Sequence, residues 1–163
     1  VRRIPLIGCA LSAAVTLAAC AVEAPDPVEP PPSAQGETTF TDFGSAVDEY
    51  WETADEFELP DGYSYPDPSF NDVSGSYQTG YGRGEAVRVW RCAWGTTYLT
   101  AFGEDPTTAT EALEVFATIV DTDVFANSYD PASMQPVIRD AIERARLGDP
   151  SAMQSITDGG CPK

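Results

Sequence analysis

The stretch Glu85-Ala86-Val87-Arg88-Val89-Trp90-Arg91-Cys92-Ala93-Trp94-Gly95-Thr96-Thr97-Tyr98-Leu99-Thr100-Ala101-Phe102 decides the fold. Apolar and small side chains recur at Ala86, Val89, Trp90, Ala93, Trp94, Thr97, Tyr98 and Ala101, the spacing of one helical face. Val87 and Val89 also suit a strand, but that strand would be a single segment from Arg88 to Ala93 without an evident partner. Gly95-Thr96-Thr97 lowers helix propensity without cancelling the period. The spacing predicts one helix from Glu85 to about Phe102, with Trp90 and Trp94 in the core.

Ala46 to Phe57 reads as a helix capped by Ser45, with Asp48 three residues on as in a capping box. Ala46, Val47, Tyr50, Trp51, Ala54 and Phe57 share its inward face, and Asp48, Glu49, Glu52, Asp55 and Glu56 fall largely opposite. Leu59 to Gly84 is rich in Pro, Gly and Tyr and reads as ordered loop. Three Asp-Pro steps follow, at Asp105-Pro106, Asp130-Pro131 and Asp149-Pro150, each a favoured helix opening. The first opens a helix from Pro106 to Val120, with Ala109, Ala112, Leu113, Phe116 and Val120 inward. Pro136 interrupts any helix begun at Pro131, so the next runs from Met134 to Leu147 and stops at Gly148. Its inward residues are Val137, Ile138, Ala141, Ile142 and Ala145. A short helix after Pro150 ends before Gly159-Gly160. The expectation is an all-α bundle of four or five helices.

The chain has 163 residues, with 26 Asp plus Glu against 9 Lys plus Arg, and no histidine. So acidic a surface repels phosphate backbones, which argues against nucleic acid as a partner. The absence of histidine removes Ser-His and Cys-His dyads and the commonest zinc ligand. The acids from Asp48 to Asp61 read as a solvated helix face; convergent oxygens, which calcium requires, are not expected there. Asp121-Thr122-Asp123 begins like a calcium loop, but Ala126 stands where glycine is required. Gly80, Gly82 and Gly84 lack the spacing of a nucleotide cradle and read as a flexible helix entry. No cofactor or metal is implied.

One candidate ligand surface emerges: the aromatic loop 59–81, with Tyr63, Tyr65, Tyr77 and Tyr81 and the neighbouring Trp51. A pair of carboxylates acting as a glycan hydrolase is a third option, but no pair singles itself out among 26 acids.

The first 37 residues carry a different message. Arg2 and Arg3 precede an apolar run from Ile4 to Ala19, which ends in Leu17-Ala18-Ala19-Cys20. Pro25, Pro27, Pro30, Pro31 and Pro32 follow in a polar segment. This arrangement resembles a bacterial lipoprotein signal. The run is shorter than the ~20 residues that span hydrocarbon, which argues against a permanent anchor. A plain secretory cleavage site is the other alternative, and Cys20 after Leu-Ala-Ala favours lipidation. The resemblance implies removal of 1–19, a diacylglyceryl group on Cys20, stable two-chain anchoring to the membrane, and an extracytoplasmic location. Residues 20–37 then form a Pro-rich tether, and 38–163 the helical domain.

With Cys9 discarded and Cys20 acylated, Cys92 and Cys161 remain. Outside the cytoplasm such a pair implies a disulfide; a redox pair usually sits closer in sequence. Trp90-Arg91-Cys92-Ala93-Trp94, Tyr98-Leu99, and Leu147-Gly148-Asp149-Pro150 through Cys161 resemble a group of uncharacterised actinobacterial envelope proteins. That resemblance covers about half of the mature domain, implies the same location and the Cys92–Cys161 link, and carries no mechanism. Solute-binding lipoproteins of transporters need two lobes and about twice this length. The expected function is a non-enzymatic envelope module that contacts another protein or a wall polymer. The alternative is a ligand-binding or sensor module built on loop 59–81.

Overall fold

The computed structural model describes residues 39–161, and the expected leader 1–19 and the whole tether 20–37, Cys20 included, lie outside them. Among the described residues the fold is all-α apart from one two-stranded clip. A short strand β1 (Phe40–Thr41) pairs antiparallel with β2 (Tyr77–Gln78), Phe40 opposite Gln78 and Thr41 opposite Tyr77. The helices are α1 (Phe43–Glu56), α2 (Tyr81–Ala101), α3 (Pro106–Ala117), α4 (Asp123–Ser128), α5 (Met134–Arg146) and α6 (Ser151–Gly160). A 3₁₀ turn at Thr118–Asp121 joins α3 to α4. None of these helices is long and apolar enough to cross a membrane.

The central element is α2, which packs against α1, α3, α4 and α6. Neighbours on several sides explain why buried residues surround it, from Ala86 and Val87 through Trp90, Cys92 and Ala93 to Tyr98. The strand alternative for Arg88 to Ala93 falls with it. The main core gathers Val87, Trp90, Phe116, Ile119, Phe125, Ile138 and Met153. Burying each large apolar side chain of this kind is worth about 1.5–3 kcal/mol. A smaller cluster of Ala46, Tyr50, Phe70 and Ala86 fastens α1 and the loop to α2.

Helix openings follow the capping chemistry, with one shift. Asp42, not Ser45, caps α1, its Oδ1 accepting from the Ser45 amide at 2.8 Å. Asp105 caps α3 by accepting from the Thr107 and Thr108 amides. Asp130 accepts from the Ala132 and Ser133 amides ahead of α5, and Asp149 from Ser151 ahead of α6. Pro136 sits in the first turn of α5, where its missing N–H costs nothing. Gly148 ends α5 with φ +84°, and the Asp149 amide donates back to the Arg144 carbonyl at 2.9 Å.

The departures from expectation are local and have causes. The unexpected helix, α4, opens at Thr122, whose Oγ1 accepts from the Phe125 amide at 3.1 Å. Tightening into the 3₁₀ turn buries Ile119 and leaves Val120 only half-buried. Val137 faces outward because α5 buries only the stripe Ile138, Ala141, Ile142 and Ala145. On α1 the inward residues are Ala46, Tyr50 and Thr53; Trp51 is 40 % exposed.

Gly82 overturns the reading of the three glycines as a flexible entry. Helix α2 begins at Tyr81, four residues earlier than the spacing predicts, and Gly82 lies inside it against α1. A Cβ there would stand 1.9 Å from the Ala46 carbonyl oxygen and 2.9 Å from the Tyr50 amide nitrogen. Glycine is what lets the two backbones cross this closely. Glu49 seals the crossing. Its carboxylate accepts from the Gly80 amide at 2.9 and 3.0 Å and from the Gly82 amide at 3.2 Å. An acid predicted for the solvated face of α1 therefore caps α2 from outside, at the positive end of the helix.

At the other end, α6 runs through Gly159 and Gly160, and Cys161 is its C-cap. Cys161 bonds to Cys92 in the middle of α2, with the Cα atoms 5.6 Å apart. Gly160 fits beside Arg91, whose Nη2 would lie 2.8 Å from any Cβ at that position.

Candidate functional site

The aromatic loop is largely a small core of its own. Tyr50 meets Trp51, Tyr65 and Phe70 edge-on, with ring centroids 5.1, 6.1 and 6.5 Å away. Phe70 in turn packs against Tyr77 and Tyr81, both at 5.3 Å. The tyrosine hydroxyls are mostly turned to internal use. Tyr50 donates to the Pro66 carbonyl at 2.8 Å, Tyr65 to the Phe57 carbonyl at 2.7 Å, and Tyr77 to the Asp72 carbonyl at 3.0 Å. Burial, with the neighbouring Tyr50 adding to it, pushes the Tyr65 phenol well above its ordinary range. Of the predicted surface residues, Tyr65 and Tyr77 are half-buried, and Trp51, Tyr63 and Tyr81 are exposed.

Beside the first residues of this loop lies a groove of about 780 Å³. One wall is the end of α1 and the segment Glu58 to Asp61; the other is α3, through Thr108, Glu111 and Val115, with Thr118 of the 3₁₀ turn. The floor is aromatic, made by Phe57, Trp90 and Trp94. Trp94, expected in the core, is half-buried instead. Its indole N–H donates to the Glu58 carbonyl at 3.0 Å and so ties the loop to α2. Phe57 meets Trp90 edge-on at 5.6 Å, which fixes the floor from the other side. Gly62, at φ +86°, completes the turn that closes the wall, with the Tyr63 amide donating to the Pro60 carbonyl.

The rim is acidic. Glu56 is held by Arg83 at 2.8 Å, and the same guanidinium reaches Asp123 on α4 at 2.9 Å. Glu58, Asp61 and Glu111 are exposed and take part in no ion pair among the described residues. An apolar floor with uncompensated carboxylates at its edge favours an organic cation, which the indole face also attracts. The signal for this site was present in Phe57-Glu58-Leu59-Pro60-Asp61 and in Trp90/Trp94, but the Trp94–Glu58 hydrogen bond and the Phe57–Trp90 contact that bring them together were not.

The carboxylates whose titration is displaced are displaced downward, opposite to what a general acid requires. Hydrogen bonds cause it at Asp105, from Thr108 foremost, and at Asp130, from Ser133 foremost. At Glu85 burial opposes ionisation, but bonds from Arg88 and Ser69 outweigh it.

Comparison of the chain with protein-family models, curated proteins and solved structures gave no match. What defines the molecule is therefore its own geometry: a disulfide-closed all-α domain with an acid-rimmed aromatic groove.

Proposed function

We propose that this chain is a bacterial envelope lipoprotein, anchored to the membrane through Cys20, whose helical domain is a non-enzymatic interaction module. The leader sequence supports the anchor, and the Cys92–Cys161 bridge agrees with an oxidising, extracytoplasmic compartment. The observation that carries the module reading is the groove: an indole floor under Glu58, Asp61 and Glu111. It suits a cationic segment of a neighbouring envelope protein or an amine-bearing wall polymer. The ligand-binding alternative survives in altered form, since the groove uses the start of loop 59–81 and not its tyrosines.

Site-specific photo-cross-linking in intact cells tests this. A cross-linker at Asp61 or Glu111 should capture a partner, and raised salt should weaken the capture as it screens the rim. Capture from Val137 alone would move the interface to the shallow apolar face that Val137 forms with Ala152 and Ile156. That result would refute the groove.

A further inference from the structure

Arg91 is buried, with 7 % of its surface exposed. Its Nε has no hydrogen-bond partner, and no carboxylate among the described residues forms an ion pair with it. Arg83, Arg88, Arg144 and Arg146 each hold an acid, and the exposed Arg139 lies over the Phe125 ring. Among the described residues Arg91 is the one deeply buried arginine, and no acid there pairs with it. Desolvating a charge is costly unless a counter-charge comes with it. The Tyr129 ring, its centroid 6.0 Å from the guanidinium carbon, offsets only part of that cost.

Arg91 lines a pocket of about 440 Å³ with Gly84 of α2, Tyr129 after α4, and Ser133 and Met134 at the start of α5. The other charges in its wall are already engaged. Arg88 holds Glu85 at 2.8 Å. Asp130 Oδ1 accepts from two amides and from the Ser133 hydroxyl. Among the described residues that leaves Arg91 as the unpaired cation of the lining.

We propose that this pocket binds a monocarboxylate with a small apolar body. The carboxylate pairs with Arg91, and the body rests against Tyr129 and Met134. A planar, singly charged carboxylate matches the guanidinium fork. A phosphate dianion brings a second negative charge toward Asp130 and fits less well.

The test is thermal unfolding of the purified full chain with benzoate, acetate or inorganic phosphate, each against sodium chloride at matched ionic strength. Benzoate should raise the Tm saturably, by about 5–10 °C at a hundredfold excess over its Kd. Acetate should do less, and phosphate no more than chloride. Arg91→Met should abolish the response, and its own Tm without benzoate should equal or exceed the wild type. Gly84→Leu separates binding from folding, because a Cβ there meets nothing within 4 Å. It fills the pocket with Arg91 intact, so it should fold and lose the response; if Arg91→Met does not fold, this variant decides. An absent wild-type response, a response kept by Gly84→Leu, or phosphate matching benzoate would each overturn the proposal.

Discussion

Gly82→Ala should destabilise the protein, although alanine is the better helix former by about 1 kcal/mol. The added methyl would stand 1.9 Å from the Ala46 carbonyl oxygen and 2.9 Å from the Tyr50 amide nitrogen. Both neighbours are backbone, so no rotamer change relieves the clash, and α1 must move away from α2. That movement stretches the Glu49 bonds to Gly80 and Gly82 and loosens Ala46 and Tyr50 against Ala86. Overpacking typically costs about 1–3 kcal/mol, and a charge-assisted hydrogen bond is worth about 1.5–3 kcal/mol. After the propensity gain, a net loss of about 2–4 kcal/mol is expected. Urea unfolding followed by circular dichroism measures it. Gly84→Ala is the control: two residues on in the same helix, its Cβ meets nothing within 4 Å. It should gain about 0.5–1 kcal/mol. Equal or higher stability of Gly82→Ala would refute the close crossing.

Cys92→Ser opens a loop of 69 residues and should cost roughly 4 kcal/mol on the chain-entropy model, seen as a lower Tm. Cys20→Ser should move the protein from the membrane to the soluble fraction, and continued tight membrane association would refute lipidation. Tyr98→Phe removes a buried hydroxyl that has no partner among the described residues, so it should leave stability unchanged or raise it by about 1 kcal/mol in denaturant unfolding. Thr108 and the helix opening hold the Asp105 carboxyl below its ordinary 3.8. Its contribution is therefore present above that value and lost as pH falls through the folded pKa. Asp105→Asn should flatten the fall of Tm with pH in that acidic range.

How much of this was legible in the sequence depended on the kind of signal. Asp105-Pro106 announced α3 because aspartate and proline act within one turn, without help from tertiary structure. The period of Ala86, Trp90 and Ala93 announced α2 for the same reason. Trp51 deceived because a helical face is wider than the stripe its neighbour covers, and Thr53 took the inward place. Gly82 was opaque, since a close crossing depends on a helix more than thirty residues away. The groove was opaque too. Its rim comes from residues about fifty apart, tied through α2 by the hydrogen bond from Trp94 to Glu58 and the contact of Phe57 with Trp90. The aromatic loop showed its composition but not its hydroxyl partners, which are backbone carbonyls that carry no sequence signature.

The covalent link between α2 and the end of α6 also sets how the molecule responds to force. A pull applied at residues 39 and 161 travels through the bridge and bypasses everything between Cys92 and Cys161. About 240 Å of extended chain is thereby withheld from stretching. Only α1, the aromatic loop and the first half of α2 can unravel under load, while the helices after Cys92 stay slack.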